Sequence, residues 1–210
     1  MWKIFLTLAF VMMLMSSASA ATIEANHFNG DERLIYPVVS TGDAAIDRKI
    51  NVAIIAELDR FLTSAYKGAQ SIGAQVEDVR TSYKVGSNQS GNTVILSIVM
   101  TESQYFKGAA HPATWKRTLN FNTSNGELMG LDYLTDIGEG VSVEDLKDRL
   151  GRKLREHADR EGLFLFEDAL PLKQLPEEFY WDENLHVHFI FQNYEVAPYA
   201  AGIIDVDIDA

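Results

Sequence analysis

The sequence predicts an α+β fold of mainly antiparallel sheets with two main helices, arranged as strand–helix–strands repeated in two packed halves. Two windows carry apolar residues at three- and four-residue steps, the mark of a helix with one buried face. The alternating runs around them are mostly joined by short turns, which favours antiparallel neighbours.

The elements follow in chain order. Thr22–Phe28 and Leu34–Val39 flank Asn29-Gly30-Asp31, a hairpin signal, and Pro37 marks the second run as an edge strand or a strand end. Asp43 is the expected N-cap of the first helix, in which Ile46, Ile50, Ala53, Ile54, Leu58, Phe61, Leu62 and Ala65 share a face and which Gly68 is expected to close. Gln75–Val85 alternates in part. Thr93–Tyr105 holds Val94, Ile95, Leu96, Ile98 and Val99 and reads as a central strand, with the first of the pair half-exposed. Gly86–Asn92 is a turn cluster. Thr114–Phe121 alternates Trp115, Arg117, Leu119 and Phe121, and an Asn125-Gly126 pair turns it back into a short strand, Leu128–Leu134. Ser142, with Asp145 three residues on, opens a helix over Val143–Asp159, its acids near the start and its bases later, as the helix dipole favours. A hairpin, Phe179–Trp181 with Leu185–Phe191, and a last strand, Ile203–Ile208, complete the chain. The break between halves falls near Gly108–Pro112, giving a leader over 1–20, a first module over 21–108 and a second over 109–210.

The first twenty residues have the layout of a secretory signal peptide: Lys3, an apolar run from Ile4 to Met15, and Ala18-Ser19-Ala20 as an A-x-A cleavage site. The run is shorter than the roughly 20 residues that span a bilayer. Export to the periplasm or the extracellular space is therefore expected. Cleavage would remove Lys3 and take the formal charge from −12 to −13. That balance argues against nucleic acid and anionic lipid surfaces, and it suits basic partners or plain solubility. The absence of cysteine excludes disulfides, thiol nucleophiles and cysteine metal sites.

Asn193-Tyr194-Glu195-Val196-Ala197-Pro198-Tyr199-Ala200-Ala201-Gly202 is the most distinctive stretch. A connector holding two tyrosines, a proline and three alanines should pack tightly and bury its backbone. Together with Tyr105, Gly108-Ala109-Ala110-His111, Asn120-Phe121-Asn122 and Leu131-Asp132-Tyr133-Leu134, it resembles the extracellular region of RsiV-type anti-sigma factors and related exported domains of largely unknown function. In RsiV such a region binds lysozyme and relays envelope stress; in another member it precedes a polysaccharide deacetylase. The sequence shows no sigma-binding segment, later span or appended catalytic domain. The resemblance thus implies a free-standing binding module, with Tyr105, Gly108, His111, Tyr194 and Tyr199 as ligand-binding residues. Ala109 stands where the family usually has Gly, and alanine resists a positive φ.

Each candidate has a plainer role beside the functional one. His111, before Pro112, is a general base or ligand contact, or else it caps a tight turn through a backbone hydrogen bond. Tyr194 and Tyr199 either fasten a corner through their hydroxyls or offer stacking faces to a sugar. His186 and His188 fall on one strand face, spaced for a metal or an acidic group, but a metal shell needs further ligands, and the alternative is a solvent-side pair. No metal or cofactor is expected. No pair of carboxylates is selected by spacing, and no G-x-S-x-G, H-E-x-x-H or P-loop occurs. The resulting expectation is an exported, non-catalytic recognition module of the bacterial cell envelope. Its partner would be a cell-wall glycan or a wall-acting protein such as lysozyme. The alternative is an envelope hydrolase acting on peptidoglycan or polysaccharide.

Overall fold

The computed structural model describes residues 20–89, 94–137 and 141–210. The leader lies almost wholly outside the described residues, as does part of the Gly86–Asn92 turn. Two strands, β1 (Thr22–His27) and β2 (Ile35–Ser40), pair antiparallel. Helix α1 (Ala44–Ser71) starts on Asp43, whose carboxylate accepts the Ala45 and Ile46 amides at 2.8 and 3.2 Å. It runs one turn past Gly68 because its buried face continues through Ala65 and Ala69.

Strands β3 (Val76–Asn88), β4 (Ile95–Phe106), β5 (Ala113–Asn122) and the two-residue β6 (Glu127–Leu128) form one antiparallel sheet in sequence order. The central position read for β4 is what its burial shows: Ile95 to Met100 are all buried. After β6 the expected strand over Leu128–Leu134 gives way to a helix, α2 (Leu131–Ile137). Leu131 and Leu134 stand three apart, so one helical turn places both on the core that also takes Met129. Tyr133, on the same turn, meets the Trp181 ring edge-on at 5.8 Å. Helix α3 (Val143–Glu161) has a full capping box between Ser142 and Asp145 and ends on Gly162 at φ +66°. Replacing Ser142 by Ala is expected to lower the unfolding free energy by about 1 kcal/mol, read as a shift in urea midpoint at unchanged slope.

Strands β7 (Glu178–Trp181), β8 (Val187–Phe191) and β9 (Ile204–Asp207) make a second antiparallel sheet. The layers run α1, four-stranded sheet, three-stranded sheet, α3. Ile50 and Ile54 of α1 meet Leu96, Ile98, Met100, Leu119 and Phe121 on one face of the first sheet. Leu146, Leu150 and Leu154 of α3 meet Phe179, Trp181, Phe189, Phe191 and Val206 of the second.

Between the sheets the seam is narrower and largely polar. Val99, Tyr180 and Ile190 are its apolar part. Ser97 and Asn120 bond each other at 2.7 Å and reach the β7 backbone at Trp181 N and Phe179 O. Side chains thus satisfy the outer edge of β7 in place of a further strand. The β1–β2 hairpin does the same for β3, through Thr81 N to Arg33 O and Thr81 Oγ1 to Ile35 O, 2.9 and 2.8 Å.

Candidate functional site

The open edge of β5 builds the site. β6 covers only its last two residues, so the outward amides and carbonyls at every second position need other partners. They take them from the 192–203 segment and β7. Tyr199 donates its hydroxyl to Pro112 O at 3.2 Å, and Asn193 Nδ2 donates to Thr114 O at 3.2 Å. Gln192 mimics a strand residue, accepting from Lys116 N at 3.0 Å and donating to Lys116 O at 2.7 Å. Glu178 accepts from Thr118 N and Oγ1 at 2.6 and 2.8 Å. The distinctive connector is thereby stitched along β5 and delivered to its start, where the β4–β5 hairpin turns.

The connector itself is packed as its composition demands: Val196 and Ala197 are buried, and Val196 O accepts from Phe166 N at 2.9 Å. What remains outside is aromatic. The Tyr199 ring stacks on His111 with centroids 3.9 Å apart and planes 24° from parallel. The Tyr194 ring stands 5.7 Å from that of Tyr199 at 34°. Tyr194 is 59% exposed, and it holds a positive φ of 67°. Such backbone strain in a non-glycine residue persists only where the surroundings impose it. Beside the rings a shallow groove of about 430 Å³ runs past Thr114, Asn193 and Ala200.

Three of the five residues expected to bind a ligand, His111, Tyr194 and Tyr199, therefore meet in one ring cluster, from loops some eighty positions apart. The other two shape the hairpin. Gly108 takes the left-handed position at φ +86°, and Ala109 keeps an ordinary φ. Tyr105 donates its hydroxyl to Ala109 O at 3.0 Å, tying the turn. The plainer roles are also filled: His111 Nδ1 donates to Pro112 O at 2.9 Å while its ring face stays on Tyr199.

His186 and His188 share one strand face, His186 on its solvent side and His188 mostly covered, and both bond acids. His186 Nδ1 bonds Asp207 at 3.0 Å and His188 Nδ1 bonds Asp205 at 2.9 Å. His188 is 18% exposed along its side chain and stacks on Tyr180 at 4.7 Å. The β8–β9 register sets His188 opposite Asp207, which a reading of one strand alone does not reveal. Asp207 holds the His186 imidazole above its ordinary pKa. Among the described residues no three metal-ligating side chains are placed to hold an ion, and no helix is long and apolar enough to cross a membrane.

A charge cluster that the sequence reading missed sits where α1, β4, β5 and β7 meet. Arg60 bonds both Glu57 and Glu102, the latter at 3.1 Å, and Arg117 bonds Glu178 at 2.7 Å. Glu102 is 2% exposed, and burial followed by the charge of Glu57 pushes its carboxyl up to about 8. Burial also acts to raise Glu57, but the hydrogen bond and charge of Arg60 outweigh it and leave Glu57 below its ordinary value. The charge of each group acts on the other, and Glu102 Oε1 is buried without a hydrogen-bond partner. Arg60 bonds both carboxyls. The available signal was a charged residue inside an apolar alternation: Glu102 after Leu96, Ile98 and Met100, and Arg117 before Leu119 and Phe121.

Two solved structures share the fold. A member of the DUF3298 family from Bacteroides fragilis aligns over 89% of this chain and 87% of its own at 17% identity, with a TM-score of 0.55. A DUF3298 family protein from Pseudomonas aeruginosa aligns over 90% and 87% at 14% identity, also with a TM-score of 0.55. No curated protein matches the chain. Residues 129–210, spanning α2, α3, the three-stranded sheet and the tyrosine-bearing connector, match the family model described as a protein of unknown function, DUF3298.

Proposed function

We propose that this chain is an exported, non-catalytic recognition module of the bacterial cell envelope, and that it takes a cell-wall glycan on the His111–Tyr199–Tyr194 ring cluster. One observation carries the proposal: three rings meet in one cluster, Tyr194 largely exposed, on loops whose backbones are fastened along β5. A pyranose has an apolar C–H face that sheds water when it lies on an aromatic ring, while its hydroxyls stay free for polar neighbours. The Thr114 hydroxyl in the adjoining groove, which donates to Ser103, can accept from such a sugar hydroxyl. The cluster is held before ligand arrives, so little ordering cost opposes binding. The leader-like first twenty residues and the resemblance to RsiV-type exported domains support the envelope setting.

Calorimetry with disaccharide-peptide fragments of peptidoglycan is the test, with lysozyme titrated separately. Tyr199→Ala and Tyr194→Ala are each expected to weaken glycan binding by roughly tenfold or more, about the worth of one stacked ring. Tyr194→Ala leaves the packed core untouched. Fragments that give no heat, or bind the Tyr194 and Tyr199 variants as tightly as the parent, would overturn the glycan reading. Binding to lysozyme alone would move the proposal to a protein partner. New reducing ends or free acetate on incubation with peptidoglycan would replace it with a hydrolase.

A further inference from the structure

We propose a second binding site, for an anionic amphiphile, in the groove between α3 and the 169–173 segment. The head group is placed on Arg152 and Arg155, and the apolar chain over Leu170, Pro171 and Leu172. The groove measures about 760 Å³, within the range of pockets that bury a small ligand. Its floor is apolar for a local reason. Gly151, midway along α3, carries no side chain, and a Cβ there would lie 3.4 Å from Leu170 Cδ2 and 3.9 Å from Leu172 Cγ. The two leucines come up to the bare helix backbone, where a longer residue would fill the cleft. An alanine methyl would make ordinary contact there, so it is the longer side chains that the open cleft excludes.

Charge selects the occupant. Most bases of α3 are already engaged: Lys147 with Glu144 at 2.7 Å, Arg149 with Asp209 at 2.9 Å, Lys153 with Glu156 at 3.3 Å and Arg160 with Glu161 at 3.2 Å. Arg152 and Arg155 both line the groove, and neither has an ion-pair partner among the described residues. Three residues apart on a helix, their side chains start roughly 5–6 Å from each other, close enough for both to hold one phosphate or carboxylate. Asp148 and Glu156 also border the groove, one on each side of the arginine pair in sequence, and Glu156 is paired with Lys153 at 3.3 Å. The anion is therefore placed between Arg152 and Arg155, and the chain runs along the leucines. On a molecule of net charge −12, two free guanidinium groups beside an apolar floor make a local exception that draws anions. None of these residues belongs to the ring cluster, so this site stands or falls independently of the glycan proposal.

The test is an NMR titration of the full chain with dodecyl phosphate below its micellar concentration, beside inorganic phosphate and dodecyl maltoside. Dodecyl phosphate is expected to shift Gly151, Leu170 and Leu172 in a saturable one-to-one manner. The uncharged maltoside and phosphate alone are expected to bind roughly tenfold or more weakly. The double variant R152E/R155E should lose a similar factor, with R152Q/R155Q as the milder pair should charge reversal disturb α3. G151L should abolish the groove shifts while leaving lysozyme or glycan titrations unchanged. Equal binding of the maltoside, unchanged affinity in the arginine variants, or shifts away from the groove would overturn the proposal. So would saturable displacement of dodecyl phosphate by an aspartate-rich peptide of higher affinity, which would make the site a protein-docking surface.

Discussion

Gly86→Ala is expected to lower the unfolding free energy by about 3 kcal/mol or more, for a single added methyl group. A Cβ at Gly86 would fall inside van der Waals contact with the Trp181 carbonyl oxygen, 2.8 Å from Tyr180 Cδ2 and 3.3 Å from Ser97 Cβ. Nothing in that triangle is free to retreat. Trp181 N is bonded to Ser97 Oγ at 3.1 Å, and Trp181 is paired with Val187 in the second sheet. The Tyr180 hydroxyl is held by Lys84 at 2.7 Å and Asp205 at 3.0 Å. The methyl must therefore push β3 away from β7 and open the seam between the sheets. Gly162→Ala supplies the contrast. That residue sits at φ +66° with open space around it, so the loss there is conformational and about 1 kcal/mol. Urea unfolding of both variants separates the two causes. A Gly86 variant no less stable than the Gly162 variant would mean that the two sheets are not closely joined at this point.

The seam also shows where reading the sequence stops. Features set within one turn or one strand were legible. Asp43 and Ser142 cap their helices through their own side chains, and the apolar periods of α1, α3 and β4 reflect faces that each element buries alone. Leu128–Leu134 was read as a strand because a short apolar stretch has no clear period, and contact with Met129 and Trp181 decides for the helix. The side-chain stitching along β5 was illegible for a different reason. Gln192, Asn193 and Glu178 look like ordinary polar residues until the edge they satisfy is known, and that edge exists because β6 is only two residues long. Likewise His111 and Tyr199 were each visible as candidates, and their stacking depends on a meeting of loops that neither loop encodes. Glu102 was the reverse case: its break in an apolar alternation was in plain view, but its meaning needed Glu57 and Arg60 from α1.

That carboxyl gives the second large expectation, a fall in stability between pH 5 and pH 9. Glu102 titrates near 4.5 in the unfolded chain and near 8 in the folded one, first because it is buried and next because Glu57 carries charge beside it. Across that window the folded protein holds a proton that the unfolded chain has released. The stabilisation is complete below about pH 4.5 and is lost as pH rises through 8. A shift of this size corresponds to roughly 3–5 kcal/mol, with the lower figure expected because two carboxyls and Arg60 share the charge. Glu57 works in the opposite sense and at lower pH: its depressed value contributes stability that disappears as pH falls below the ordinary carboxylate range. His186, raised by Asp207, adds to the alkaline loss above its unfolded value, but it is exposed and its share is small. Glu102→Gln isolates the carboxyl. A glutamine keeps the size and neutrality of the protonated form and accepts from Arg60 as Glu102 does, at every pH. Its unfolding free energy should stay nearly level from pH 5 to pH 9 while the parent declines, so the two curves diverge with increasing pH. Parallel curves would show that Glu102 is ionised in the folded protein, with Arg60 and Arg117 compensating its charge.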